Sequence, residues 1–196
     1  IILDKNLFSS DKYGYADLQS NLVFHNFETN KFTKFFINDI DWKHRRFNYS
    51  SGLNGRLLGK LKNVNYEAKN TSVYKTDTTH EVFGAIGYLS EINLFKKIKD
   101  NSKRFLTPKM LLRYAPGHMR EETGNTRLNH SNIFTLDRLN TNKNFESGLS
   151  TTLGFDYELE ESDKKLDFSI AQIINEKENQ DMPSSSSLDQ RFSDVI

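Results

Sequence analysis

Apolar and polar side chains alternate along much of this chain, most clearly between residues 144 and 175. The odd positions from 145 to 159 are mostly apolar, and the even positions from 146 to 158 are polar or small. Successive side chains of a β-strand point to opposite faces, so this period of two predicts a strand. A second alternating run, 165–175, follows the polar stretch 161–164. Together the runs predict one long antiparallel hairpin with an apolar face and a polar face.

The predicted hairpin specifies its own register. A tight turn at 162–163 pairs Glu160 with Lys165. The same register sets three further pairs opposite each other: Tyr157 with Phe168, Phe155 with Ile170, and Thr151 with Ile174. Apolar residues therefore mostly meet apolar residues across the two strands, as cross-strand packing requires. Two residues are exceptions, because Gln172 falls on the apolar side and Ile173 on the polar side.

The first arm is longer than the strands of most soluble proteins, which have about 5–6 residues. A strand that crosses a membrane needs about 9–11 residues, and 149–157 supplies an apolar row with aromatic residues near one end. A long hairpin of a soluble β-sandwich or β-solenoid explains the same alternation. The hairpin alone leaves both interpretations open.

Similar alternation predicts further strands along the chain. They cover residues 13–27, 32–46, 57–74, 79–89 and 105–114, with a last partial strand at 191–196. A polar turn at 28–31 places Leu22 opposite Ile37 and Phe24 opposite Phe35. No stretch shows a clear helical period, so the sequence predicts an all-β fold.

Two segments lack this alternation and are interpreted as connections. Residues 96–104 are rich in basic side chains and indicate a charged linker, whereas 116–143 is a long loop rich in charged residues. Tight turns at 28–31 and 161–164, combined with long loops, are typical of membrane barrels, in which the short turns share one side. This arrangement favours a large antiparallel transmembrane β-barrel, of which the chain is an incomplete part built from long hairpins.

Composition narrows the function classes. The chain has 196 residues, net charge +1 and no cysteine, which excludes thiolate zinc sites and cysteine nucleophiles here and gives no electrostatic argument for nucleic acid. The mean hydropathy is −0.68, and a membrane barrel is compatible with this value because its strands alternate. Both ends of the sequence read as cuts through a longer protein.

Candidate catalytic and metal sites find little support. The spacing of His118, Glu121, Glu122 and His130 matches no standard zinc pattern. The glycines of 52–59 lack the Gly-Lys-Ser/Thr ending of a phosphate loop, and no Gly-x-Ser-x-Gly motif is present. The chain is therefore interpreted as a non-enzyme without a cofactor.

Two sets of polar residues have more than one possible interpretation. The basic and aromatic run 42–46 either contacts phosphates of a lipid or nucleic acid, or is an exposed strand end with extended Lys and Arg side chains. The second interpretation is favoured. The acidic residues Glu146, Asp156 and Glu158 are interpreted as a hydrated inner wall of the hairpin.

Four short motifs occur in order between residues 105 and 149. They are Leu106-Thr107-Pro108, Arg113-Tyr114-Ala115-Pro116-Gly117, Phe134-Thr135-Leu136-Asp137-Arg138 and Asn144-Phe145-Glu146-Ser147-Gly148-Leu149. Their order and spacing resemble the barrel domain of the LptD family of lipopolysaccharide-assembly outer-membrane proteins, also called organic solvent tolerance proteins. The match is best over 86–196, while residues 1–85 fit in length and alternation.

The resemblance implies that residues 1–196 are an internal part of a barrel domain in the cell outer membrane. The family helps insert lipopolysaccharide into the outer leaflet, without covalent chemistry or a cofactor. The implied partners are lipopolysaccharide, an LptE-like plug lipoprotein and periplasmic lipopolysaccharide-bridge proteins, and no nucleic acid is implied. The periplasmic jellyroll of the family and its cysteines are missing from this sequence.

The family-like positions are given structural roles. These positions are Pro108, Tyr114, Pro116, Asp137 and Arg138. Pro108 is expected to begin a strand and Pro116 to end one, and the charged residues Asp137 and Arg138 are expected to anchor a loop. Two other function classes stay open, namely another outer-membrane barrel, such as a porin or receptor, and a soluble β-rich module that binds glycans. An outer-membrane hydrolase is the least favoured interpretation.

Overall fold

The computed structural model describes residues 1–27, 30–99, 102–123, 127–139, 141–161 and 164–196. Within these ranges the chain is all-β, as predicted. Its strands are β1 (Ile2–Ser10), β2 (Gly14–Asn26), β3 (Phe32–Lys43), β4 (Phe47–Asn48), β5 (Leu53–Lys69), β6 (Thr79–Ile92), β7 (Leu94–Lys99), β8 (Ser102–Ala115), β9 (Gly148–Glu160) and β10 (Lys165–Asn175). No helix in the described ranges is long and apolar enough to cross a bilayer.

All ten strands belong to one antiparallel sheet. The main path runs β1-β2-β3-β5-β6-β8-β9-β10, while β4 pairs with β5 and β7 pairs with β8. The sheet is open, with β1 at one edge and β10 at the other. Residues 191–196 run beside the C-terminal half of β10, where Ile196 and Ala171 exchange two main-chain hydrogen bonds of 3.0 Å. The last predicted strand is therefore reduced to one isolated bridge, between Ile174 and Phe192.

The predicted register of the β9–β10 hairpin is confirmed. Glu160 faces Lys165, and the three further predicted pairs are all present in the ladder. The first arm begins at Gly148 rather than at residue 144, because Gly148 has a φ of +111° that interrupts the extended backbone. The turn residues 162 and 163 lie outside the described residues.

The predicted register of the β2–β3 hairpin is wrong by one position. Leu22 faces Phe36 rather than Ile37, and Phe24 faces Lys34. The amide of Phe27 donates to the carbonyl of Lys31 at 2.9 Å. The paired ends of β2 and β3 are therefore separated by an odd number of residues, whereas the predicted turn had two. Asn30 has a φ of +56°, as expected for the left-handed residue that closes a three-residue hairpin loop. Residues 28 and 29 of the predicted turn lie outside the described residues.

The charged residues 96–99 and 102–104 lie in paired strands rather than in a linker. Strand β7 pairs with the first part of β8, where Leu94 faces Leu106 and Lys96 faces Arg104.

The connections between strands of the main path lie at two opposite ends of the sheet. At the turn end β1 leads into β2, β3 into β5 and β9 into β10, and at the loop end β2 leads into β3, β5 into β6 and β8 into β9. The prediction that the short turns 28–31 and 161–164 share one side is therefore wrong.

The two faces of the sheet differ sharply. One face carries the buried residues Phe35, Val64 and Leu111 and is called the covered face. Residues 116–123, 127–139 and 141–147, together called the covering loop, lie over it and contribute Leu136 and Phe145 to its apolar core. A second apolar cluster joins Ile173 of β10 to the covering loop and to the segment 176–196.

The opposite face, called the exposed face, carries large apolar side chains with no protein over them. Its exposed apolar residues follow the strand register across seven adjacent strands: Phe24, Phe36, Leu57, Leu61, Val82, Ile86, Met110, Leu112, Tyr114, Leu149, Leu153, Leu166, Phe168 and Ile170. Val82 and Ile86 keep 62% and 63% of their accessible surface. Such a continuous apolar surface is uncommon on a soluble monomer.

Candidate functional site

The covered face is unusual because buried charged residues, rather than apolar ones alone, attach the covering loop. Three strand residues supply the charges, namely Lys62 of β5, Glu81 of β6 and Arg113 of β8, and all are buried. Buried charges are tolerated only when they are paired and hydrogen-bonded. Each of these three contacts the covering loop, so the loop and the strands form one polar network.

At the centre of the network is the ion pair between Arg138 and Glu146. Arg138 donates Nε to Glu146 Oε2 at 2.7 Å and Nη2 to Oε1 at 2.5 Å. The same Nη2 donates to Ser150 Oγ of β9 at 3.0 Å. The side chains of Arg138 and Glu146 retain only 0% and 2% of their accessible surface. This two-pronged geometry joins Arg138 to Glu146 near the C-terminal end of the covering loop and holds both beside β9.

Arg113 attaches the loop from the strand side. Its Nε donates to the carbonyl of Leu136 at 2.7 Å, and its Nη2 donates to the carbonyl of Glu146. Its guanidinium also lies over the Phe145 ring, 5.4 Å from the centroid. One strand residue therefore binds both the middle and the end of the covering loop.

Lys62 makes the second attachment. Its Nζ lies 2.8 Å from Asp137 Oδ2 of the covering loop and 3.6 Å from Asp39 Oδ1 of β3. Lys60 extends the row, 2.8 Å from Asp41 and 3.7 Å from Asp39. Asp39 faces Lys62 and Asp41 faces Lys60 in the β3–β5 register, so the ladder itself aligns opposite charges across the strands.

Arg120 makes a third attachment near the loop end. Its Nη1 lies 2.5 Å from Glu81 Oε2, and its guanidinium lies 5.3 Å from the Tyr66 ring centroid and 5.4 Å from that of Tyr74. Asn144 closes the loop on itself, because its Nδ2 donates to the Arg120 carbonyl at 2.9 Å and its Oδ1 accepts from the Arg120 amide at 3.2 Å.

Glu146 makes this attachment dependent on pH. Burial alone raises the pKa of the Glu146 carboxyl, but the guanidinium groups of Arg138 and Arg113 outweigh burial and hold the pKa below its ordinary value. A depressed folded-state pKa stabilises the fold above the unfolded pKa of about 4.3. That stabilisation is lost as the pH falls through the folded-state pKa.

We expect the amides of residues 127–139 to exchange faster with solvent below about pH 4, the window that follows from this linkage. Hydrogen–deuterium exchange, corrected for its intrinsic dependence on pH, measures this change. The Glu146→Gln variant has no titrating carboxyl, so its loop should already exchange faster at neutral pH and respond little to acid. A variant that keeps the acid response of the parent protein would assign that response to another group.

The family-like positions take several environments. Pro108 lies within β8 and does not begin it, which corrects the prediction. The reason is that β8 changes partner there, from β7 at Leu106 to β6 at Lys109, and proline is tolerated where a ladder is interrupted. Pro116 directly follows the end of β8, and Tyr114 lies on the exposed face.

Asp137 and Arg138 do not pair with each other. Asp137 binds Lys62 of β5, and Arg138 binds Glu146. The interpretation of Glu146 as part of a hydrated wall is wrong, because its carboxylate is buried against Arg138. Asp156 accepts hydrogen bonds from Lys109 Nζ and from Ser169 Oγ.

Sequence reasoning missed Lys62, Arg113 and Arg120 as members of the site. Lys62 had a readable signal, because a lysine at an inward position of an alternating strand requires a partner. The identity of each partner had no local signal, since the pairs join residues far apart in the chain. Within the described ranges, no cluster of three or more His, Asp or Glu side chains is arranged to hold a metal ion. The contacts of Lys62, Arg113 and Arg120 attach the covering loop to the strands.

Comparison with known proteins adds no family to this description. No protein-family model matches the chain, and the search of curated proteins gives no significant match. The functional conclusion below therefore rests on the geometry of the two faces and on the order of the motifs.

Proposed function

We propose that this chain is part of a transmembrane β-barrel in the outer membrane of a Gram-negative cell. We further propose that the barrel helps insert lipopolysaccharide into the outer leaflet. The proposed partners are lipopolysaccharide itself, a plug lipoprotein similar to LptE and the periplasmic proteins that deliver lipopolysaccharide. The single observation that carries the proposal is the contrast between an exposed apolar face and a covered, charged face on the same sheet.

The distribution of apolar and charged residues between the two faces is the reverse of that in a soluble fold. In a soluble β-sandwich the apolar row of each strand packs against a second sheet, and the polar row meets water. Here Leu153, Phe168 and Ile170 stay 45%, 43% and 41% exposed, while Lys62 and Arg113 are buried at 1% each. Outer-membrane barrels place their apolar rows against lipid and their polar rows towards the interior, and that arrangement explains both observations.

The limits of the apolar surface also support a lipid contact. Near the turn end it carries the aromatic residues Trp42 of β3 and Tyr157 of β9, as at a membrane interface.

The open sheet supports a larger assembly. The edge strand β1 has unpaired main-chain groups along its free side, and an unprotected edge invites pairing with another strand. In the proposed barrel, further strands pair with β1 and with the part of β10 before Ala171, because residues 191–196 already border β10 from Ala171 to Asn175.

The lipopolysaccharide assignment rests on the family resemblance and on where its motifs meet. Arg113, Asp137, Arg138 and Glu146 come from three of the four motifs that carry the resemblance. All four belong to the polar network that fastens the covering loop. Because residues from three of the motifs meet in one buried network, the order and spacing of these motifs have a shared structural reason.

Depletion of the protein in the cell that makes it tests the proposal. We expect newly made lipopolysaccharide to stop reaching the cell surface, measured by labelling of surface-exposed sugars, while secreted soluble proteins are exported normally. Normal labelling combined with loss of small-solute uptake would instead assign the barrel to the porins or receptors. Recovery of the protein in the soluble fraction, without detergent, would contradict any barrel.

A further inference from the structure

The turn end of the sheet carries a cluster of basic and aromatic residues that the proposed transport function does not use. We propose that this turn-end cluster binds the phosphate of an anionic lipid headgroup. Its members are Lys12, Tyr13, Trp42, His44, Arg45 and Arg46. The inference goes beyond lipopolysaccharide insertion, but it rests on the proposed membrane location.

The cluster is assembled from two connections by a close backbone approach. The β1–β2 turn reaches the end of β3 at Gly14, whose φ is +79° and where an added Cβ would lie 2.0 Å from the Lys43 carbonyl oxygen. Trp42 Nε1 donates to the Tyr13 carbonyl at 2.9 Å, and Arg45 Nη1 donates to the Asp11 carbonyl at 3.2 Å. The fold itself therefore brings Lys12 next to the arginines.

An open groove of about 700 Å³ lies between these connections. Its basic lining residues Lys12, Arg45 and Arg46 are exposed, and its acidic lining residue is Asp11. Among the described residues Lys12 and Arg45 form no salt bridge, while Arg46 lies 3.5 Å from Glu91 and keeps 55% of its side-chain surface. The groove therefore offers an excess of positive charge to a phosphate, for which Arg supplies fork-shaped donor geometry.

The aromatic members place this groove at the level of headgroups. Trp42 lies on the exposed face, one residue before the end of β3 at the turn end. His44 stacks on Phe47 with ring centroids 4.7 Å apart. Tryptophan at the end of an apolar belt marks the membrane–water interface, and basic residues beside it attract anionic lipids.

A lipid headgroup explains the cluster better than a nucleic acid does. The rings of Trp42, His44 and Phe47 pack edge-on or stacked against one another, whereas single-stranded nucleic acid requires ring faces open to bases. The apolar surface that begins beside Trp42 suits acyl chains and offers nothing to a polynucleotide.

The test uses the native-length protein reconstituted in phosphatidylcholine vesicles. A fraction of the lipid is brominated, either as phosphatidylglycerol or as phosphatidylcholine, because bromine quenches nearby tryptophan. The chain has one tryptophan, and subtraction of a Trp42→Phe variant isolates its signal. We expect brominated phosphatidylglycerol to quench Trp42 several-fold more than the same fraction of brominated phosphatidylcholine.

Removal of the basic charges should abolish that preference. We expect Lys12→Gln/Arg45→Gln/Arg46→Gln to weaken phosphatidylglycerol enrichment around Trp42 by roughly tenfold or more, because each basic residue near an anionic surface contributes about a fivefold factor. The matched control Lys31→Gln/Lys69→Gln/Lys75→Gln removes the same charge from exposed positions at the loop end and should leave the preference intact.

The outcomes separate this inference from the proposed function. Failure of the parent protein to insert into either vesicle overturns the membrane proposal and this inference with it. Insertion with equal quenching by the two brominated lipids overturns the inference alone. Displacement of phosphatidylglycerol by millimolar inorganic phosphate or by an RNA oligonucleotide would assign the groove to a soluble anion and reject a lipid site.

Discussion

Replacement of Arg138 by methionine is expected to lower the free energy of unfolding by about 3–5 kcal/mol, the usual result of removing one partner of a buried ion pair. The substitution leaves the Glu146 carboxylate, which is 2% exposed, without its two guanidinium hydrogen bonds. The Nε and Nη2 groups of Arg113 do not compensate, because they already donate to the main-chain carbonyls of Leu136 and Glu146. Denaturant unfolding in detergent, followed by circular dichroism, measures the change.

A double variant identifies the cause of this loss. Arg138→Met/Glu146→Met removes both charges and fills the space with apolar atoms, so it should recover more than half of the lost stability. The control is Lys165→Met, which breaks an ion pair with Glu158 of 2.9 Å at the surface and should have little effect. A loss for Arg138→Met no larger than that of the control would show that the network does not hold the covering loop.

Most of the long strands and one hairpin register could be predicted from the sequence for a physical reason. In β9 and β10 only one parity is apolar, and the residues opposite each other match in character, so a shift by one position would bury charges. In β2 and β3 both parities carry large apolar side chains, with Val23 and Phe35 on one face and Phe24 and Phe36 on the other. The alternation of apolar and polar residues therefore does not specify the register of β2 and β3. The backbone conformation of Asn30 in the connection specifies it instead.

The charged hairpin of β7 was missed for a related reason. Strand β7 lies off the main path of the sheet, and its residues 94–98 are exposed, so neither face has to be apolar. A strand of this kind is specified by its ladder with β8, which a charge pattern does not reveal.

Only part of the candidate site could be predicted from the sequence. The motifs located Asp137 and Arg138, but the alternation of the hairpin was extended too far towards the N-terminus and assigned Glu146 to a wet strand position. Gly148 ends the regular backbone, so parity arguments fail before it. Along the chain, β6, β7, β8 and parts of β5 and of the covering loop separate Lys62 from Asp137, and tertiary packing alone brings the two together.

Replacement of Leu153 by arginine is expected to destabilise the protein in lipid vesicles by about 2–4 kcal/mol, the cost of a basic side chain near the middle of a bilayer on the lipid face of a barrel. Leu153 lies in the middle of β9 and is 45% exposed on the exposed face. The free energy of unfolding from vesicles, measured by urea titration and tryptophan fluorescence, gives the size of the effect.

Depth along the strand is the decisive comparison. Leu166 is 53% exposed on the same face but lies at the turn end of β10, where a barrel would place the interface and where Leu166→Arg should cost only about 0–1 kcal/mol. If water covered this face, both substitutions would fall within about 0.5 kcal/mol of zero, as exposed surface changes usually do. Small and equal costs for the two substitutions would therefore contradict the barrel. In water the free-energy cost of arginine on this face has no reason to depend on its position along the strand, whereas in a bilayer it does.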